Sequence, residues 1–235
     1  MFPKILANHI SSNFFKNKLI NSFRKKNLNN HQSICQTKRK LQIDQNKKGE
    51  DNFVEIFFTK EKFYLDQFYQ LRESCFRKDN GWVEYDGSET YFDRNGHILI
   101  AKKDDKVVGG VRIIFGEEVD FFSSECPNSK YLYLDYLKTK NESVNKKKLA
   151  EISSLVIDYN YRNSILSTEM LKVLYENAKL KKIKFVFSVS TIYHARFYKI
   201  LCKRGGQSIN IEEKYLWKPE KKYSFVQTYL VYAKL

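Results

Sequence analysis

The chain has 235 residues and a formal net charge of +15, and 42% of its residues are hydrophobic. This length suits one well-cored domain with an appendage, and the hydrophobic content excludes wholesale disorder. No apolar run approaches the roughly 18 residues that cross a bilayer, so we expect no transmembrane segment. Four widely spaced cysteines without a CxxC pair favour a reducing, cytoplasmic compartment over a disulfide framework or a metal cluster.

The positive charge is concentrated at the start of the chain. Residues 1–50 hold 11 Lys and Arg against two acidic residues, a net +9, whereas the other 185 residues have a net +6. We interpret residues 1–51 as a basic, flexible extension and residues 52–235 as the folded domain. The helical spacing of Phe15, Leu19 and Phe23 leaves organelle targeting and contact with an anionic membrane surface open as further uses of this extension.

Residues 52–235 contain alternating strand and helix patterns. Phe53–Thr59 is rich in β-forming residues, and the segment after it repeats apolar residues at helical spacing from Tyr64 to Cys75. Two apolar runs separated by Asp104 and Asp105 then predict a hairpin. The later patterns predict a strand, a helix, a strand, a helix and two strands, at 148–158, 161–181, 184–190, 194–204, 207–217 and 223–235. This order predicts an α/β (α+β) fold, a mixed sheet with helices on both faces.

Three groups of segments carry a family resemblance. LRESCFRKDNGW, ETYFD, HILIA and KVVGGVRI form the first group, AEISSLVID is the second, and HARFYKIL followed by Gly205 and Gly206 is the third. Together they resemble the GNAT acyltransferase superfamily, and within it the acyl-homoserine-lactone synthases and N-acyl amino acid synthases. The resemblance covers roughly residues 53–210, and it implies a GNAT-like, mostly antiparallel sheet.

The resemblance also implies an activity and roles for particular residues. It implies an N-acyltransferase that moves an acyl group from an acyl carrier protein or coenzyme A (CoA) to an amine of a small, amino-acid-like acceptor, without a bound prosthetic group or metal. Glu151 would accept the proton of the amine, and Tyr198 would protonate the departing thiolate. Substrate binding is implied for Arg72, Phe76, Trp82, Asp93, Arg112, Ser153 and Ser154, and donor binding for Leu155, Val156, Ile157, Arg162 and Ser167. Arg72, Asp93 and Arg112 would converge into one charged cluster.

The sequence departs from the family pattern at four positions. Thr90 and Ser154 occupy positions where the synthases have an acidic residue and an arginine, which argues against S-adenosylmethionine as co-substrate. The superfamily loop that binds the CoA pyrophosphate has two glycines, which are Ile165 and Ser167 here. Side chains at these positions would crowd the backbone amides at a helix N-terminus, which favours a carrier protein as donor.

An acidic carrier protein would need a basic docking face, and the sequence offers three candidates. They are Lys146–Lys148, then Lys179, Lys181, Lys182 and Lys184, and finally Lys199, Lys203 and Arg204. Each cluster is equally compatible with an ordinary solvated face. His97 and His194 have no partner at catalytic spacing, so we interpret both as structural.

Three other functions stay open at this point. The first is an acetyl-CoA-dependent N-acetyltransferase that acts on a small amine or a protein. The second is a non-catalytic, basic nucleic-acid-binding protein, which is disfavoured because the charge surplus lies in the extension and the chain has no recognised nucleic-acid motif. The third is an inactive homologue of the synthases.

Overall fold

A computed structural model describes residues 38–43, 53–124, 132–162, 164–204, 209–217 and 228–235, which all lie within one unit, Gln36–Leu235. The strands are β1 (Arg39–Gln42), β2 (Phe53–Thr59), β3 (His97–Lys103), β4 (Lys106–Phe115), β5 (Leu149–Ile157), β6 (Phe185–Thr191), β7 (Asn210–Trp217) and β8 (Thr228–Lys234). The helices are α1 (Lys62–Asn80), α2 (Tyr91–Asn95), α3 (Leu132–Thr139), α4 (Leu166–Leu180) and α5 (Ile192–Arg204). Short 3₁₀ turns at Lys146–Lys148 and Tyr159–Tyr161 flank β5. Most of the basic extension, as well as Gly205 and Gly206, lies outside the described residues.

The strands form one eight-stranded sheet in the order β1-β2-β3-β4-β5-β6-β8-β7. All neighbouring strands are antiparallel except β5 and β6, which are parallel. The predicted hairpin is confirmed as β3 and β4, with Asp104 in its turn at φ 53°. The mixed, mostly antiparallel sheet that the sequence predicted is therefore confirmed.

The sheet begins earlier in the chain than the sequence analysis placed it. Strand β1 pairs with β2 through contacts such as Leu41 with Val54, although it lies before position 52. Its sequence, RKLQ, has a single strongly apolar residue because an edge strand needs little burial. A hydrophobic pattern could not reveal it, so the described sheet includes Arg39–Gln42, which precede the domain boundary predicted at 51/52.

Helices cover both faces of the sheet, as the sequence predicted. Gly109 and Gly110 are consecutive in β4, so their Cα–H bonds point to opposite faces. A Cβ atom at Gly109 would lie 3.3 Å from the sulfur of Met170 in α4, and one at Gly110 would lie 2.2 Å from the ring of Phe68 in α1. Helices α1 and α4 therefore pack on opposite faces, and both glycines permit their close approach.

Among the residues that the structure describes, two groups of buried side chains stabilise these layers. Under α1, Phe68 and Cys75 pack with residues of β3, β4 and β5 such as Ile98 and Val156. A second group surrounds α3, where the rings of Tyr133 and Phe187 stack with centroids 4.3 Å apart. This second group includes Ile114, Phe122, Tyr136, Leu149, Phe185 and Leu230.

The parallel pairing of β5 with β6 is short, and the two strands form a fork. Only three residue pairs join them, Leu149 with Phe185, Ala150 with Val186, and Glu151 with Phe187. Both strands are described over their full length, and neither pairs with the other beyond Glu151. The fork opens a gap within the sheet, and it is this gap that positions the candidate site.

Candidate active site

A cavity of about 500 Å³ lies at the fork. Its walls include Ser154–Ile157 of β5 and Val189–Thr191 of β6. Residues from α1, α5 and the loops complete the lining: Cys75, Phe76, Asp79, Trp82, Tyr161, Arg162, Ser167, His194, Phe197, Tyr198 and Thr228. Apolar walls with a few polar groups are typical of a pocket for a small organic ligand.

Strand β5 has a bulge where it meets the cavity. Gly110 and Arg112 of β4 oppose Val156 and Ser153 of β5, so β5 carries one residue more than its partner between these pairs. Ser154 lies in the bulge with a φ of 59°, a left-handed conformation that costs a non-glycine residue about 1–2 kcal/mol. Such strain persists only where the surrounding structure maintains it, and it is concentrated at functional sites.

Aromatic side chains from α1 and the loop after it form one wall. Helix α1 is capped by Gly81, whose left-handed conformation at φ 68° turns the chain back, and the Trp82 amide donates to the carbonyl of Phe76. The centroid of the Phe76 ring lies 5.0 Å from the centroid of the Trp82 ring and 4.8 Å from that of the Tyr85 ring. The Arg77 side chain donates to the carbonyl of Tyr85 at 2.7 Å and keeps this loop against the helix.

Helix α5 brings Tyr198 and His194, one turn apart, to the cavity. Burial raises the pKa of Tyr198, so its phenol stays protonated at neutral pH. Although His194 is exposed to solvent, partial desolvation by its neighbours lowers its pKa, which favours the neutral imidazole. The Nδ1 atom of His194 lies 3.2 Å from the hydroxyl oxygen of Thr191. His194, interpreted from the sequence as structural, thus lines the cavity.

Arg162 lies at the N-terminal side of α4 and is held by the protein itself. Its guanidinium donates two hydrogen bonds to the Asp79 carboxylate, at 3.1 and 2.7 Å, and a third to the carbonyl of Ile157 at 3.0 Å. The hydrogen bonds to Asp79 raise the pKa of Arg162 further. The Asp79 pairing joins α1 to the turn that precedes α4.

Arg72, Asp93 and Arg112 converge in a buried charged cluster, as the family resemblance implied. The two guanidinium groups share the Asp93 carboxylate, with Nη1 of each 2.9 Å from Oδ1. Burial alone would raise the pKa of Asp93, but the two arginines hold it below its ordinary value. Arg72 also donates to the carbonyls of Gly87 and Ser88, which fixes the loop after the aromatic wall.

Glu151 lies next to this cluster and is 1% exposed. Its carboxylate accepts hydrogen bonds from the hydroxyl groups of Ser123 and Ser124 and, at 2.7 Å, from that of Tyr133. Ser123 accepts in turn from Nη2 of Arg112 at 3.1 Å, so Glu151 and the cluster form one network. Ser153 accepts from the same guanidinium at 2.9 Å.

The structure therefore divides the predicted site residues into two sets. Nine line the cavity: Phe76, Trp82, Ser154, Leu155, Val156, Ile157, Arg162, Ser167 and Tyr198. Five belong to the buried network and are absent from the described lining: Arg72, Asp93, Arg112, Ser153 and Glu151. The network supports β5 immediately before the bulge, because Ser153 is the residue that precedes Ser154.

Residues 67–207, more than half of the chain, match the family model of the N-acyl amino acid synthase FeeM. The chain belongs to the FeeM family. It is therefore an acyltransferase, and specifically an N-acyltransferase. A search among curated proteins gave no match.

Solved structures show the same fold as this FeeM-family protein. The acyl-homoserine-lactone synthase LasI has 17% sequence identity and a TM-score of 0.52, over 77% of this chain and 88% of its own. BjaI, described as a CoA-dependent acyl-homoserine lactone synthase, has 16% identity and a TM-score of 0.54, over 74% of this chain and 76% of its own. A Lactobacillus plantarum protein assigned as an N-acetyltransferase has 11% identity and a TM-score of 0.52, over 77% of this chain and 99% of its own. The fold is thus that of the GNAT superfamily.

Several cavity residues of this FeeM-family protein were missed by the sequence analysis. They are Cys75, Asp79, Ser190, Thr191, His194 and Thr228. Asp79 and Arg162 are 83 positions apart, and one sequence gives no signal for such a pairing. For His194 a signal existed, because it lies four residues before Tyr198 and side chains at this spacing share one face of a helix.

Two other kinds of site were searched for in the described part of the chain. No helix there is long and apolar enough to cross a membrane. No group of three or more His, Cys, Asp or Glu side chains within those ranges could hold a metal ion.

Proposed function

We propose that this N-acyltransferase takes its acyl group from a thioester, carried by an acyl carrier protein or by CoA, and transfers it to the amine of a small, amino-acid-like acceptor. The observation that carries this proposal is the fork in the sheet. Its cavity is lined both by the bulge residue Ser154 and by Tyr198. A thioester arm is narrow and extended, so it fits a gap between two strands. The aromatic wall of Phe76 and Trp82 suits the hydrocarbon of the acyl group.

The bulge supplies the groups that polarise the carbonyl. As the amine attacks, negative charge develops on the thioester oxygen, and backbone N–H groups directed at it stabilise this charge. We assign this role to the backbone between Ser153 and Val156, where the extra residue redirects the strand. The buried network then has a positioning role, because Arg112 holds the Ser153 hydroxyl beside the bulge.

The reaction exchanges one bond for another and moves two protons. The amine nitrogen bonds to the acyl carbon, and the carbon–sulfur bond breaks to leave a thiolate. We assign protonation of the thiolate to Tyr198, whose phenol lines the cavity and is protonated at neutral pH; the resulting phenolate then regains a proton from the group that accepted the amine proton, or from water. The proton lost from the amine goes to Glu151 through a hydroxyl group or water, since its carboxylate is buried, or directly to His194, which lines the cavity.

The proposal is tested with the purified full-length chain. It is incubated with dodecanoyl-acyl carrier protein or dodecanoyl-CoA and a mixture of amino acids and simple amines, and products are identified by mass spectrometry. We expect an N-dodecanoyl product together with release of an equal amount of free thiol. The absence of product and thiol release with both donors would overturn the proposal, and turnover with acetyl-CoA alone would favour an N-acetyltransferase.

Variants of two residues separate the candidates for the amine proton. Glu151→Gln and His194→Gln are compared over a range of pH at equal soluble concentration. Loss of the side chain that accepts the amine proton lowers the rate of acyl transfer at neutral pH. The difference in rate from wild type shrinks at high pH, where the amine is already deprotonated in solution. Whichever variant shows this pattern identifies the group, and Tyr64→Phe, in α1 and outside the cavity lining, controls for substitution alone.

A further inference from the structure

We propose that Ser123 relays the amine proton to Glu151 during acyl transfer. This inference rests on the proposed function, and it names the hydroxyl group through which the buried carboxylate receives that proton. It also gives the side from which the acceptor approaches. The amine lies on the side of β5 where the hydroxyl groups of Ser123 and Ser153 meet the guanidinium group of Arg112.

Ser123 provides the route between the Glu151 carboxylate and its surroundings. Of the described hydroxyl groups that donate to this carboxylate, only that of Ser123 belongs to a partly exposed residue. Ser124 is buried, and Tyr133 is fully buried with its ring stacked on that of Phe187. Glu151 is buried as well, so it does not meet an amine directly. The shortest route for a proton to this carboxylate therefore passes through Ser123.

Arg112 sets the direction of the Ser123 hydroxyl group. A guanidinium group has only donors, so the Ser123 oxygen accepts from Nη2 of Arg112, at 3.1 Å. The O–H of Ser123 then points to Oε1 of Glu151. A hydroxyl oxygen has two lone pairs, so the second one can accept from a water molecule or from a substrate amine. Ser123 is thus arranged to receive a proton on one side while it donates one on the other.

The same nitrogen atom of Arg112 brings this relay close to the bulge. Nη2 also donates to the Ser153 hydroxyl at 2.9 Å, so the hydroxyl oxygens of Ser123 and Ser153 are no more than about 6 Å apart. One water molecule can bridge polar groups at such a distance. Ser153 directly precedes Ser154, the bulge residue that lines the cavity. An amine that attacks a thioester at the bulge from this side is therefore close to Ser123.

The loop that carries Ser123 is held in place by its own contacts. The ammonium group of Lys146 donates to the carbonyl of Val119 at 2.8 Å. Nearer to the serine, the ring of Phe121 stacks on that of Tyr91 in α2, with the centroids 6.1 Å apart. Proton transfer requires that donor and acceptor stay within hydrogen-bond distance, so a loop that is fixed in this way suits a relay.

The relay moves two protons in the same direction. As the amine nitrogen bonds to the acyl carbon, its proton passes to the oxygen of Ser123, and the hydroxyl proton of Ser123 passes to Oε1 of Glu151. At the end of the step Ser123 is again a hydroxyl group, the carboxyl group of Glu151 is neutral, and the nitrogen has no positive charge. The proton on Glu151 leaves by the reverse of this route after the thiol has been released.

The test compares Ser123→Ala with Ser123→Thr, which keeps a hydroxyl group. Thiol release from dodecanoyl-acyl carrier protein is measured with the same mixture of amino acids and simple amines, from about pH 6 to about pH 10. We expect Ser123→Ala to lower kcat about 10²-fold at neutral pH, with KM for the donor near the wild-type value, because assistance by the base is lost. The difference from wild type should shrink at high pH, where the amine is already deprotonated in solution. Ser123→Thr should keep most of the wild-type rate at every pH.

Ser124→Ala is the matched control, because it also removes one hydroxyl group that donates to Glu151. Ser124 is buried, so its hydroxyl group supports the carboxylate without offering a route for the proton. Any loss of rate in this variant should therefore be the same at every pH. A loss in Ser123→Ala that is equally independent of pH would overturn the relay, and so would a wild-type rate in Ser123→Ala at neutral pH.

Failure of the relay and failure of the proposed function give different results. If only His194→Gln shows a loss that shrinks at high pH, the amine proton goes to His194, and the relay is overturned while acyl transfer from a thioester stands. Absence of product with every thioester donor would refute the proposed function and the relay with it.

Discussion

Replacing Asp93 by Asn should be one of the most damaging single substitutions in the protein. The Asp93 side chain is fully buried, and its carboxylate accepts hydrogen bonds from Arg72, from Arg112 and from the amide and hydroxyl of Thr90. An asparagine keeps the size of the side chain, but it loses the charge and turns an NH₂ group toward the guanidinium groups. Both buried arginines then lack their counter-charge, and breaking a buried ion pair in this way costs about 3–5 kcal/mol.

This free energy is measurable by urea unfolding at pH 7. The free energy of unfolding falls by about 2 kcal/mol per M of urea, so a loss of about 3–5 kcal/mol in stability lowers the urea concentration at the unfolding midpoint by about 1.5–2.5 M. The control is Glu89→Gln, which removes the exposed ion pair of Glu89 with Arg94 in the same loop and helix. Such an exposed pair contributes at most about 1 kcal/mol, so its midpoint should move by no more than about 0.5 M.

The pH dependence provides an independent check of the same reasoning. The pKa of Asp93 is lower in the folded state than its unfolded value of about 3.9, so its stabilisation is complete above the unfolded pKa. The stabilisation is lost as the pH falls through the lower, folded pKa. The difference in stability between wild type and Asp93→Asn should therefore shrink on acidification below about pH 4. A midpoint shift no larger than that of Glu89→Gln would refute a stabilising role for the cluster.

Three further predictions concern the cavity and its supports. Ser154→Gly should keep both stability and activity, because glycine accepts the positive φ at this position. Ser154→Val should lower both, and thermal melting and turnover assays measure the two effects. Tyr198→Phe should lower kcat by about 10²-fold or more with little change in KM, and a thioester of a more acidic thiol should recover much of the loss in steady-state assays. Gly110→Ala should cost about 1–3 kcal/mol in urea unfolding, because its Cβ would lie 2.2 Å from the Phe68 ring.

Hydrophobic periodicity predicted the long elements of the fold, but it missed short ones such as β1, α2 and α3. Helix α2 has five residues, and its start is fixed by reciprocal hydrogen bonds between Thr90 and Asp93 rather than by an apolar face. The spacing of a threonine and an acidic residue three positions later is a capping signal that could have identified it. Strand β1 gave no comparable signal, because its sequence RKLQ has a single strongly apolar residue.

The composition of the candidate site was more predictable than its geometry. The family resemblance identified residues on both sides of β5, but alternation along a strand cannot locate a bulge, and one extra residue changes which side chains face the cavity. Ser153 consequently contacts Arg112, while its neighbour Ser154 lines the cavity. The orientation of Glu151 toward Ser123 and Ser124 likewise depends on a loop that has no regular pattern.

The fork also has a consequence for local opening of the sheet. It leaves the strands β1–β5 and the strands β6–β8 joined by a ladder of only three residue pairs. So short a ladder contributes few of the cooperative hydrogen bonds that resist local unfolding. The β5 amides beyond Glu151 that point toward β6 should therefore exchange with deuterium faster than the β5 amides that are hydrogen-bonded to β4. An extended thioester arm would cross-link the two halves as a substitute strand, and its binding would be seen as slower exchange on both sides of the gap.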